Sequence, residues 1–159
     1  MMQNCFPDKK IIVTQGGETR FHSVKNGLLQ INDEQSVVAI HDAARPLVSV
    51  VTIQKAMEAA KNYGSGIPVV AVNESLRKTE FNKSKAVNRA DYKIVQTPQC
   101  FRTAAIKAAF QTQYKDAFTD DATVFEHAGH EVILTEGNPE NIKITLPNDL
   151  LIAQLFLKP

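Results

Sequence analysis

Tryptophan is absent from the 159 residues, glycine and proline occur seven times each, and cysteine only twice, at Cys5 and Cys100. Two thiols exclude a disulfide framework and a zinc site of four cysteines, and the expectation is a reducing, cytoplasmic setting. An excess of charge is missing as well: 18 Lys and Arg stand against 17 Asp and Glu, a formal charge of +1. That balance lacks the cationic surplus of a general nucleic-acid binder, so an anionic ligand has to be met by a few placed cations. No run approaches the ~20 apolar residues that cross a bilayer, and residues 1–10 contain no signal-like apolar stretch. Neither a membrane nor a nucleic acid is expected as a partner. What is present is 43% hydrophobic and 22% charged, and a chain of this length can bury roughly two thirds of its unfolded surface in one domain.

Strand-like and helix-like patterns alternate along the chain. Residues 10–14 are a β-branched run ending at Gly16-Gly17, after which Phe21, Val24, Leu28 and Ile31 recur at helical spacing. Residues 36–40 are apolar on both faces, as in a parallel strand covered by helices, and lead into His41-Asp42-Ala43-Ala44-Arg45-Pro46. A helix over 51–63, stopped by Gly64-Ser65-Gly66, precedes a third buried strand at 67–72. The order predicts an α/β fold of right-handed βαβ units with ligands at the carboxyl ends of the strands. From 75 to 101 the runs become short and polar, and a β-arm is expected there in place of core strands. Helices resume at 103–113, capped by Thr103, and at 119–128. A strand at 131–134, an edge segment at 141–145 and an amphipathic helix opened by Pro147 complete the chain.

Asp42 stands just past a buried strand, where a carboxylate can face a crevice, and Arg45 three residues on can present its fork to a phosphate. Equally, Asp42 could cap the turn and pair with Arg45. The turn Gly16-Gly17-Glu18-Thr19-Arg20 could bring backbone amides to a nucleotide, with Ser23 in the first helical turn, or be a plain βα connection. Neither G-x-G-x-x-G nor a Walker lysine pattern occurs. Ser75, Arg77, Arg89, Thr97 and Lys143 are hydroxyls and cations suited to a phosphate, although any one of them also suits a solvated surface. His127 and His130 flank Gly129 and could join Glu126 at a metal, but they straddle a helix end and fit an exposed C-cap better. Cys100 lacks a CxxC partner and reads as a packed thiol.

Five motifs in this order resemble a known family: Gly16-Gly17-Glu18-Thr19-Arg20-Phe21-His22-Ser23-Val24, His41 to Pro46, Arg89 with Thr97-Pro98-Gln99-Cys100-Phe101, Thr119-Asp120-Asp121-Ala122, and Asn141-Ile142-Lys143-Ile144-Thr145. They look like the motifs of 2-C-methyl-D-erythritol 4-phosphate cytidylyltransferase. The resemblance covers residues 10 to 157, with H-D-A-A-R-P and T-P-Q-x-F its most specific parts. It implies a Rossmann-like nucleotidyltransferase sheet of mixed, mostly parallel strands with a protruding β-arm. Residues 1–159 would then be one partial domain, with 75–101 as the arm that makes a homodimer.

The same resemblance implies a reaction. CTP and methylerythritol phosphate give the cytidine diphosphate adduct and pyrophosphate, a step of non-mevalonate isoprenoid synthesis dependent on Mg2+. Gly17, Glu18, Ser23 and Ala43 match residues that contact the cytidine part of CTP. Asp42 matches a residue of the metal and substrate region, and Asp42 and Lys143 are the expected catalytic pair. Arg45, Ser75, Arg89, Thr97 and Lys143 match residues around the methylerythritol phosphate, Arg89 and Thr97 coming from the arm of a second subunit. Glu74-Ser75 replaces the family's aspartate-threonine, keeping a carboxylate and a hydroxyl. The family's opening strand, glycine-rich loop and Pro-Lys-Gln element have no counterpart here, so the chain is expected to be N-terminally truncated and inactive by itself. A non-catalytic α/β nucleotide-binding or interaction module, or another sugar-nucleotide transferase, would use the same fold.

Overall fold

A computed structural model of the chain describes residues 10–157. Helix α1 (Arg20–Leu28) starts where the Thr19 hydroxyl accepts a hydrogen bond from the His22 amide, and it buries Phe21 and Leu28, two turns apart on one face. Strand β1 (Val37–Ile40) follows. Helix α2 (Val50–Tyr63) is capped by the Ser49 hydroxyl, which accepts from the Thr52 amide, and it ends at Gly64, whose φ of 105° a side chain would strain. Its buried face is Thr52, Ala56, Ala59 and Ala60; these small side chains let the helix lie close to the sheet.

Strand β2 (Ser65–Ala71) is the hub of a five-stranded sheet. Along one side β7 (Leu134–Glu136) runs parallel to it. Along the other the returning chain runs antiparallel, first as β5 (Lys93–Val95) and then as β6 (Gln99–Arg102), and β6 also pairs antiparallel with β1. Gly66 faces Cys100 while Val69 faces Val95. The returning chain therefore carries extra residues at 96–98, which bulge out of the ladder. Strands β3 (Arg77–Glu80) and β4 (Lys83–Ala86) form a separate, exposed hairpin. Helices α3 (Thr103–Ala109), α4 (Asp121–His127) and α5 (Pro147–Phe156) complete the described chain. The main core gathers Phe21, Leu28, Ile67, Phe101, Ile106, Phe110, Val124 and Phe125, with Phe21 stacked on Phe110 at 4.8 Å between centroids.

The mixed α/β architecture matches the expectation, but the strands are not mostly parallel: among the described residues only β2 and β7 pair in that sense. The cause is β6, which enters between β1 and β2 from the returning arm and not through a crossover helix. Residues 10–14 form no strand, and Val13 is 86% exposed; β-branched residues favour a strand only where a neighbouring ladder exists to pack against. The expected arm of 75–101 shrinks to the β3–β4 hairpin as a free-standing element. Gln96, Thr97, Gln99, Cys100 and Phe101 are buried. Their polarity is no obstacle, because the Gln99 amide donates to Asp120 at 2.8 Å and its oxygen accepts from the Ala122 amide at 2.9 Å.

Smaller differences have similar causes. The α3 N-cap is Arg102, since the Thr103 hydroxyl is engaged by Ser36 at 2.9 Å. Residues 141–145 make no strand, although Ile144 donates its amide to the Ala44 carbonyl at 2.8 Å. His130 stacks on Phe125, and Lys115 donates to His127. No group of three potential metal-ligating side chains occurs among the described residues, nor any helix long and apolar enough to cross a membrane. Cys100 is free and buried, and burial pushes its thiol up to about 12. Cys5 lies outside the described residues.

Candidate functional site at the strand ends

Asp42 leaves the end of β1 directly opposite the 96–98 bulge. Its amide donates to the Thr97 hydroxyl oxygen at 3.0 Å, and that hydroxyl meets His41 Nδ1 at 2.9 Å. His41 Nε2 lies 2.9 Å from the Arg45 carbonyl. A carbonyl only accepts, so Nε2 carries a proton toward it. The strand end, the bulge and the H-D-A-A-R turn are thereby locked in one arrangement.

That lock places three cations around one carboxylate. Lys143 Nζ stands 3.2 Å from Asp42 Oδ2, Arg45 Nε 3.4 Å from the same oxygen, and Arg20 Nε 3.7 Å from Oδ1. Burial works against charge on Asp42. The hydrogen bond and charge of Lys143, with Arg20 and Arg45 behind it, more than offset this and hold the carboxyl below its ordinary value. Arg45 is fixed further by donating to the carbonyls of Asn141 at 2.8 Å and Val95 at 3.4 Å. Behind it three amides interlock. Gln96 donates to Asn138, and Asn141 donates to the Thr97 carbonyl at 2.8 Å. The Gln96 oxygen accepts from the Asn138 amide. Gly137 leaves room beside them: a Cβ there would stand 2.3 Å from the Gln96 side-chain oxygen and would have to displace that amide.

A cleft of about 510 Å³ opens in front, lined by Arg45, Asn73, Glu74, Gln96, Asn141 and Lys143 among others. Asp42, Arg45, Thr97 and Lys143 are thus brought together. Thr97 is buried in the chain's own sheet, which corrects the expectation that a partner's arm delivers it; β6 follows it immediately and is anchored between β1 and β2. Arg89 sits at the lip, donating to the carbonyl of the cleft residue Asn73, and Ser75 is exposed beside Glu74. Glu18 and Ala43 are exposed in their turns. Gly17 donates its amide to the Ser23 hydroxyl, which itself donates to the Thr19 carbonyl at 3.1 Å, so both close the turn before α1. Arg20 carries that turn to Asp42. Sequence reasoning overlooked Arg20, His41, Gln96, Asn138 and Asn141. Of these Arg20, inside the glycine turn, His41, inside H-D-A-A-R-P, and Asn141, at the head of the 141–145 motif, lay in motifs singled out for ligand binding, whereas Gln96 and Asn138 did not.

A sheet whose strand ends bring a carboxylate and its surrounding cations beside a cleft defines an α/β protein with a polar site at its strand ends. The family model for "IspD: 2-C-methyl-D-erythritol 4-phosphate cytidylyltransferase" matches residues 1–159, and the chain belongs to that family. It is 50% identical over 145 residues to the Phocaeicola vulgatus 2-C-methyl-D-erythritol 4-phosphate cytidylyltransferase, covering 91% of this chain and 66% of the relative. To the protein of that name from Geobacillus kaustophilus it is 40% identical, covering 94% and 66%. The crystal structure of the Francisella tularensis 2-C-methyl-D-erythritol 4-phosphate cytidylyltransferase superposes with a TM-score of 0.84 at 35% identity, covering 96% of this chain and 74% of that one. The Thermus thermophilus structure gives 0.79 at 31% identity, with 94% and 78% covered. The chain spans about two thirds of the length of the curated relatives it matches.

Proposed function

We propose that this site serves cytidylyl transfer from CTP to 2-C-methyl-D-erythritol 4-phosphate, with pyrophosphate released, and that these residues form the half that holds the methylerythritol phosphate. One observation carries the reading: Arg45, Lys143 and Thr97 converge with Asp42 at the mouth of a cleft that two cations line. In such a transfer the substrate phosphate oxygen attacks the α-phosphorus of CTP in line, and positioning and charge neutralisation are the protein's main contributions. Lys143 and Arg45 neutralise and orient the attacking phosphate. Asp42 spaces the two cations and accepts from substrate hydroxyls. Arg89 and Ser75 close the lip, and Gly17, Glu18, Ser23 and Ala43 line the approach of the cytidine.

Mg2+ takes oxygen ligands in near-octahedral geometry, usually one or two carboxylates together with substrate phosphates. Here the carboxylates at hand are Asp42 and the exposed Glu74 of the cleft lining, and cations already stand at both oxygens of Asp42. The residues present do not fit an ion held by the protein alone. The exposed β3–β4 hairpin, with Phe81 fully solvent-facing at its tip, supports a homodimer joined through the arm. The buried, free Cys100 thiol suits a cytoplasmic setting.

Calorimetric titration of 2-C-methyl-D-erythritol 4-phosphate into the chain tests the reading. Binding is expected, with Lys143→Met weakening it about tenfold or more, the range for a charge-assisted phosphate contact. If the ester does not bind, or if Lys143→Met binds it as well as the parent chain does, the assignment is wrong.

A further inference from the structure

Asp121 is a fully buried carboxylate in the first turn of α4. Asp120 already caps that helix by accepting from the Thr123 amide, so Asp121 is not needed as a cap. Its two oxygens are instead taken by Arg20, whose guanidinium donates to them at 2.7 and 2.5 Å as a two-pronged fork. The remaining Arg20 nitrogen, Nε, is the one that stands 3.7 Å from Asp42 Oδ1. Charges therefore alternate from the core to the cleft: Asp121, Arg20, Asp42, then Lys143 and Arg45. The chain of charges ties α4, the glycine turn and the end of β1 to one another, and a buried carboxylate makes its inner end immovable.

We propose that Arg20, anchored on Asp121, is a positioning residue that fixes the Asp42 carboxylate between Lys143 and Arg45. The proposal deepens the phosphate-site reading and rests on it. Without Arg20, Asp42 has only the two cleft cations to satisfy it, and it draws them away from a bound phosphate. A lysine cannot replace the arginine in this role, because one ammonium lacks the planar fork that engages Asp121 while a third nitrogen faces Asp42.

The test uses the full chain in three forms: the parent, Arg20→Lys, and the double variant Arg20→Gln with Asp121→Asn. The double variant removes the buried acid together with its cation, so no unpaired charge is left inside the fold. Two quantities are read at neutral pH, the carboxyl carbon resonance of Asp42 and the dissociation constant for 2-C-methyl-D-erythritol 4-phosphate. Both variants are expected to keep the parent's dispersed amide spectrum, to shift the Asp42 resonance, and to bind the ester roughly two- to fivefold more weakly, as for a lost, partly exposed ion pair. An unmoved Asp42 resonance in the folded double variant overturns the proposal, as does a moved resonance with parent-like affinity. Should the parent chain ignore the ester, the substrate reading fails, and the resonance by itself still decides whether Arg20 holds Asp42.

Discussion

Arg20 holds two carboxylates of opposite tendency. Burial is the largest influence on Asp121 and raises its carboxyl, with Arg20 only partly compensating. Asp42 is likewise disfavoured by burial, but Lys143 and its neighbouring arginines bring it below the usual aspartate value. A raised folded value means that stability is complete below the unfolded value and falls as pH rises through the folded one. A lowered value means stability that is present above about 3.9 and is lost as pH falls through the folded value. Denaturant titrations from neutral pH downward are therefore expected to show stability holding or rising as Asp121 takes up its proton, then falling below about pH 4 as Asp42 does. Asp121→Asn should remove the first change and Asp42→Asn the second; if both variants follow the parent's profile, other groups govern it. Asp42 and Arg45 were legible in the sequence because strand-end position and charge mark such residues, whereas Lys143 stood out only through the motif Asn141-Ile142-Lys143-Ile144-Thr145. Asp121 appeared only as a member of the Thr119-Asp120-Asp121-Ala122 motif, since nothing local distinguishes a buried partner of a residue a hundred positions away.

At the level of elements, helices were easier to read than strands. Val50–Tyr63 begins at a hydroxyl cap and ends at a left-handed glycine, both visible in the sequence. The strand β6 was missed. Its Gln99 and the adjoining Gln96 and Thr97 look too polar for a core, and only the distant Asp120, Ala122, Asn138 and Asp42 explain how they are accommodated. Residues 10–14 failed in the opposite sense, with strand propensity but no ladder to join. The hydrogen-bonding account of β6 has a measurable consequence. Gln99→Leu has about the right volume but abandons the Asp120 oxygen and the Ala122 amide, and two stranded polar groups should cost about 2–4 kcal/mol. Urea unfolding of the variant checks this, and a loss under about 0.5 kcal/mol would mean that water replaces both bonds. Because the same strand anchors the 96–98 bulge, the variant should also weaken binding of the phosphate ester.

For the whole molecule the expectation of an amphipathic closing helix meets a different outcome. In α5 only Ala153 is buried, while Leu151 and Leu155 are 60% and 63% exposed and Leu146, Leu150 and Phe156 add to the same uncovered surface. Scattered apolar residues on a surface are ordinary, whereas a contiguous group of this kind promotes association. The net charge of +1 offers little repulsion to oppose it. The second candidate for self-contact, the β3–β4 hairpin, is mostly cationic, with Arg77, Lys78, Lys83 and Lys85 around the exposed Phe81, so its contacts should weaken in low salt while those of α5 should not. Light scattering over a range of protein concentrations is expected to show mass growing with concentration. Leu151→Glu with Leu155→Glu should suppress the growth beyond a dimer, whereas Phe81→Lys should weaken the dimer that the arm makes. A parent chain whose mass is independent of concentration, or a double variant that associates as the parent does, would show that α5 is not the adhesive surface; growth abolished by Phe81→Lys alone would assign it to the arm.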